Sequence, residues 1–224
     1  MMRVSDRACC QLIRGAYEYA NEPSVTWDFT GDAAQTGVIW FIKAVNGVPV
    51  VVFPGTQNAL DVLRDLNAVA DPYDHSFYGP VHPGAHEGMN VVAATIRDLG
   101  IGDKCVVTGH SLGALRAGVA VAELRMLGLD PLRRVVFGEP KPGFERLRTV
   151  LAPIPAASYG NGTALAHDLF LDIPLSFWPE LYVRPCPLTW VDVAPEAGDA
   201  WGPLAWHRIQ YYDAGLESCQ NGLE

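Results

Sequence analysis

A chain of 224 residues with net charge −9, 49% hydrophobic and 18% charged residues is long enough to bury a sizeable core and reads as one α/β domain over residues 1–224. Its acidity and the lack of a basic patch interleaved with aromatics exclude a nucleic-acid footprint and disfavour docking on anionic membranes. No stretch reaches the length of a transmembrane span. Residues 1–20 hold Arg3, Asp6, Arg7, Arg14 and Glu18 rather than an apolar signal core, so synthesis in the cytoplasm is expected, with export by another route left open.

Ser5 caps a first helix whose apolar positions Cys9, Leu12, Ile13, Ala16 and Tyr17 recur at helical spacing. Two β-rich runs, Thr36–Lys43 and Val48–Phe53, flank Asn46-Gly47, a strong hairpin signal. Asn58–Val69 reads as helix with Leu60, Leu63 and Leu66 on one face, and Asp71–Gly84, broken by Pro and Gly, as loop. Glu87–Leu99 is a helix closed by Gly100. A Lys104–Thr108 strand then leads through Gly109-His110-Ser111-Leu112-Gly113 into a helix over Leu112–Leu127, ending near Gly128. Arg134–Phe137 and Ala156–Tyr159 read as strands and Phe144–Leu151 as a helix, while six prolines from Pro153 to Pro187 make the later region irregular. Strands alternating with helices predict a mostly parallel central sheet with helices on both faces, preceded by an antiparallel hairpin. The five cysteines (Cys9, Cys10, Cys105, Cys186, Cys219) are odd in number and lack metal-ligand spacing, which favours reduced thiols.

Gly-x-Ser-x-Gly arises by chance about 0.07 times in a chain of this composition, so its setting carries the argument. Between a strand and a helix, the turn lifts the Ser111 hydroxyl onto a strained tip where a base can reach it. A hydroxyl becomes a useful nucleophile only when a base takes its proton, and that base needs an acid to orient it. In hydrolases of this architecture the order is serine, acid, histidine. His75, His82 and His86 precede Ser111, and His110 sits within the turn pointing away from it. His167 and His207 remain. Asp130, Asp168, Asp172, Asp192 and Asp199 follow the serine, with Asp168 at the carboxyl edge of the sheet where catalytic groups gather. The oxyanion formed in acyl transfer needs two backbone donors. Leu112 supplies one; Thr56, in the strand-to-helix turn Phe53-Pro54-Gly55-Thr56, is the candidate for the other.

Six segments, in order and spacing, resemble the class 3 (fungal- and plant-type) lipases of the α/β-hydrolase fold. These are Phe53-Pro54-Gly55-Thr56 with Asp61 and Asp65 beyond it, Val81-His82-Pro83-Gly84, Gly109–Gly113, Phe137–Gly143, the interval Asp168–Pro174, and His207 with Tyr211. The resemblance implies a triad of Ser111, Asp168 and His207, an oxyanion hole of Thr56 and Leu112, and no metal or organic cofactor. It implies an acyl-ester small molecule or lipid as substrate. Pro54 stands where the family has Arg, and Ala114 where a second Gly is frequent. The Asp168 segment lacks the family's internal proline, which leaves Asp172 as a rival acid. Only Asp71–Pro80 is left for a lid, too short to imply interfacial activation. Phe77, Tyr78, Phe170, Phe177 and Trp178 are candidates for an acyl pocket or for plain packing. Two further functions compete with ester hydrolysis: a thioesterase, acyltransferase or amidase using the same triad, and a catalytically silent binding or assembly module. The oligomeric state is not legible.

Overall fold

The computed structural model describes residues 3–19, 23–56, 73–163, 166–172, 182–200 and 202–221. The helix expected at Asn58–Val69, and the acyl-pocket candidates Phe177 and Trp178, lie outside them.

Among the described residues seven strands form the main sheet: β1 (Phe29–Thr30), β2 (Phe41–Val45), β3 (Val48–Phe53), β6 (Val106–His110), β7 (Arg133–Phe137), β8 (Ala156–Asn161) and β9 (Leu188–Val191), side by side in that order. β1, β2 and β3 pair antiparallel, and every later neighbour pairs parallel. Asn46 and Gly47 turn the β2–β3 hairpin with φ of 50° and 76°, the doubly left-handed turn that this dipeptide favours.

Strands β3, β6 and β7 are buried at almost every position because both faces are covered, and Val or Phe fills most of those positions. Val51, Phe53, Val107 and Val136 point into one core, packed with helices α4 (Met89–Asp98), α5 (Leu112–Met126) and α6 (Glu145–Leu151). Val50, Val52, Val106, Val135 and Phe137 point into the other, beneath α1 (Asp6–Glu18) and α7 (Ile209–Asn221). This is the period-two alternation of a strand, with each fully buried Val or Phe stabilising the fold by about 1.5–3 kcal/mol. The Ser5 hydroxyl accepts the Ala8 N–H at 3.1 Å, as a helix N-cap should.

Two expectations change. The run expected as a strand from Thr36 becomes β2 only at Phe41, because Thr36 closes a short helix, α2 (Ala33–Thr36), and turns its hydroxyl onto the Asp32 and Val38 carbonyls. The stretch expected as loop over Asp71–Gly84 contains a second, two-stranded sheet, β4 (Tyr73–His75) with β5 (Gly79–Val81), running into helix α3 (Pro83–His86). Each strand is three residues long and contains or borders Gly or Pro, so periodicity had no length in which to show. Strand β9 and helix α7 also went unanticipated.

Candidate active site

Register brings the functional loops together. Phe53 pairs with Gly109, Gly109 with Val136, and Phe137 with both His110 and Tyr159. The carboxyl ends of β3, β6, β7 and β8 are therefore level, and the segments leaving them converge. Ser111 follows β6 with φ 59° and ψ −129°, a left-handed conformation rare for a residue with a side chain. Its N–H is held by the Phe137 carbonyl at 3.1 Å. The flanking glycines are obligatory: a Cβ on Gly109 would lie 2.1 Å from the Gly113 carbonyl oxygen, and one on Gly113 2.1 Å from the Phe53 oxygen. Behind Ser111 runs the nearly fully buried helix α5, whose N-terminal dipole favours negative charge at the serine.

Asp168 and His207 meet directly. The His207 Nδ1 lies 2.7 Å from Asp168 Oδ2 in a pair that solvent scarcely reaches. A carboxylate only accepts, so Nδ1 carries the proton and Nε2 presents its lone pair. Asp168 also accepts from the Tyr212 hydroxyl at 2.5 Å and from the Phe170 N–H at 2.9 Å. Burial alone would raise its pKa, but the histidine and these donors outweigh burial and hold it below the usual carboxylate range. Gly138 makes room for the pair, since a Cβ there would approach His207 Cε1 to 2.9 Å and Asp168 Oδ2 to 3.1 Å. Phe170 stacks on the His207 ring at 3.9 Å between centroids. Among the described residues, the buried atoms without a hydrogen bond include Ser111 Oγ and His207 Nε2.

His110 turns away from Ser111, as its place in the turn implied, and it has two structural partners. Its Nε2 is 2.7 Å from the His207 carbonyl oxygen and its Nδ1 2.7 Å from the Tyr17 hydroxyl. The carbonyl requires Nε2–H, so Nδ1 accepts from Tyr17, whose oxygen in turn accepts the Gly55 N–H at 2.8 Å. Burial, and then the neighbouring His207, lower the His110 pKa to about 3, so the ring is neutral. One chain of bonds thus joins helix α1, the turn before Thr56, and the backbone of His207.

Gly55 approaches so closely that a Cβ would lie 2.8 Å from Ser111 Cβ. Its own N–H is taken by Tyr17, which leaves the next peptide, Thr56, as the donor nearest in sequence. Leu112 opens α5, where an N–H has no helical acceptor. The rival acid Asp172 instead bonds His167 Nε2 at 2.8 Å at the surface. His82 caps α3 by accepting the Gly84 N–H. Of the aromatics, Tyr78 is buried against Glu123 and Phe170 against His207, so both pack. Tyr17 and Tyr212 were missed: the first read as one of several apolar helix positions, the second is masked by Tyr211, which bonds Asp199.

Residues 50–159 match the family model for lipase (class 3). Over that segment, just under half of the chain, the sequence is similar to the class 3 lipases. Its fold is shared with solved lipases. A mutant of the MDLA protein from Penicillium cyclopium superposes with a TM-score of 0.67 at 16% identity, over 94% of each chain. The Rhizomucor miehei lipase–propeptide complex gives 0.61 at 20% identity, over 82% of this chain and 66% of that one, just under two thirds of its length. A triacylglycerol lipase whose catalytic centre is formed by a serine protease triad gives 0.60 at 20% identity, over 84% and 79%. No curated protein matches the sequence. Among the described residues no helix is long and apolar enough to cross a membrane.

Proposed function

We propose that this protein is a lipase of class 3 type that cleaves acyl esters through an acyl-enzyme on Ser111. The observation that carries the reading is the Asp168–His207 contact, which fixes the imidazole tautomer and leaves Nε2 bare beside the elbow. His207 takes the Ser111 proton as Oγ attacks the ester carbonyl. The oxyanion is received by the N–H groups of Leu112 and Thr56 at the positive end of α5. His207 then protonates the leaving alcohol, and in the second half it deprotonates the water that releases the acid. Asp168 stays ionised throughout and stabilises the imidazolium. The neighbour with a serine protease triad at its centre supports the same assignment.

A fluorophosphonate probe tests it. The parent protein should be labelled once, and Ser111→Ala should lose both the label and about 10⁴-fold or more of its ester hydrolysis. A folded parent that takes no label would sink the proposal and return the binding-module reading. Hydrolysis of p-nitrophenyl esters of increasing chain length then separates esterase from lipase preference, and thioester and amide analogues test the remaining leaving groups.

A further inference from the structure

We propose that His75, His86 and Glu123 form a binding site for a divalent transition-metal cation of the zinc type, remote from the reacting serine. The three residues come from different elements: β4, α3 and the last turns of α5. Their ligand atoms all lie within 4.8 Å of one another. His75 Nε2 and His86 Nε2 each stand 3.9 Å from the same oxygen, Glu123 Oε1. That is too long for a hydrogen bond. It is close to the spacing of two ligands sharing a cation with bonds of about 2.0–2.2 Å, and a small closure of the side chains completes it.

The chemistry of the cluster agrees. Glu123 is 2% exposed, and its other neighbour is the neutral Tyr78 hydroxyl, at 2.8 Å. Among the described residues no Lys or Arg pairs with it, so a buried carboxylate faces two imidazoles. Both rings are held from behind: His75 stacks on Tyr78 at 4.0 Å and 9°, and His86 on Tyr73 at 3.8 Å and 20°. Two imidazoles and one carboxylate suit zinc, whereas calcium takes six to eight oxygens.

One local change is required. His75 Nδ1 now accepts the Phe77 N–H at 3.2 Å, and metal at Nε2 moves the ring proton to Nδ1, so the turn between β4 and β5 must rotate that peptide. Glu123 lies twelve residues along α5 from Ser111, about 18 Å. The cation would therefore clamp the β4–β5 hairpin and α3 to α5 without touching the ester.

The experiment uses the full chain, stripped with a chelator and titrated with zinc against a chromophoric competitor. One zinc per chain is expected, with the melting temperature raised about 5 °C or more at 100-fold excess over Kd. Calcium should give no shift. His75→Gln and His86→Gln should each weaken binding at least tenfold while retaining hydrolysis of a short soluble ester. Cobalt absorption without thiolate charge-transfer bands would separate this site from the cysteines, and it needs no variant. No stoichiometric binding, binding unchanged in both histidine variants, or a thiolate cobalt spectrum would each overturn the proposal. Labelling of Ser111 by fluorophosphonate is independent of all of them.

Discussion

At Asp168 the site depends on single atoms. Three donors converge on one buried carboxylate, and the Tyr212 hydroxyl shares Oδ2 with the histidine. Tyr212→Phe removes one of the three without creating a void. It is expected to cost about 1–3 kcal/mol in urea denaturation, since the acceptor is charged and buried. It should also lower kcat on a short ester more than it changes KM, because Tyr212 acts through Asp168. Gly113 shows the other kind of dependence: with the Phe53 oxygen 2.1 Å from its missing Cβ, Gly113→Ala is expected to destabilise by about 3 kcal/mol or more. The elbow was legible because that steric demand is written as glycine in the sequence. Asp168 and His207 were legible as a pair only through spacing shared with a family, since two histidines and five aspartates met the chemical requirement. Tyr17 and Tyr212 were not legible, because a hydroxyl at the buried end of a helical aromatic leaves no trace in hydrophobic periodicity.

Among elements, the bonds running from Gly55 through Tyr17 and His110 to the His207 carbonyl tie three separate segments together. Tyr17→Phe leaves the Gly55 N–H and His110 Nδ1 without their shared partner. Loss of about tenfold in kcat on a soluble ester, with KM nearly unchanged, is the expected signature of a loosened oxyanion turn. The same network predicts acid lability. His110 ordinarily titrates near 6.5 but in the fold only at about 3. Between those values the unfolded chain binds a proton that the folded chain refuses, so stability falls as pH drops through that window, by a few kcal/mol in all. Urea midpoints should decline from pH 7 to pH 5 while long-range nitrogen NMR still finds the His110 ring neutral. A midpoint flat across that range would contradict it. Of the elements with length enough for periodicity, α1, β3, α4 and α5 were read correctly from sequence, and α7 was missed. The short ladders β1, β4, β5 and β9 were not, because two to four residues beside Pro or Gly carry pattern for neither strand nor helix.

Over the described residues, two cores share one sheet, and buried polar contacts also join its parts. Arg134, at the start of β7, makes a fully buried pair with Glu139 just beyond its end. Arg134→Met strands that carboxylate and is expected to cost about 3–5 kcal/mol, whereas an Arg134→Met/Glu139→Leu double variant should recover much of it. Thermal melts of the two variants distinguish these outcomes. The general architecture was legible because apolar strands alternating with amphipathic helices have few packings available. The buried polar pairs were not, since Arg134 and Glu139 sit five residues apart across a strand end with no periodic signal, and nothing local links His75 to Glu123.

Helix α7, which follows His207 directly, lies against α1, where Asp213 receives Arg7 and Arg14. Helix α1 therefore docks a helix whose Asp213 lies 206 residues beyond Arg7 along the chain. Ser111 is synthesised 96 residues before His207, so a growing chain carries the elbow before α7 exists to meet α1. On the proposed triad the serine is then unarmed while it waits, and hydrolytic competence arrives in a separate, later step, when those two distant helices meet.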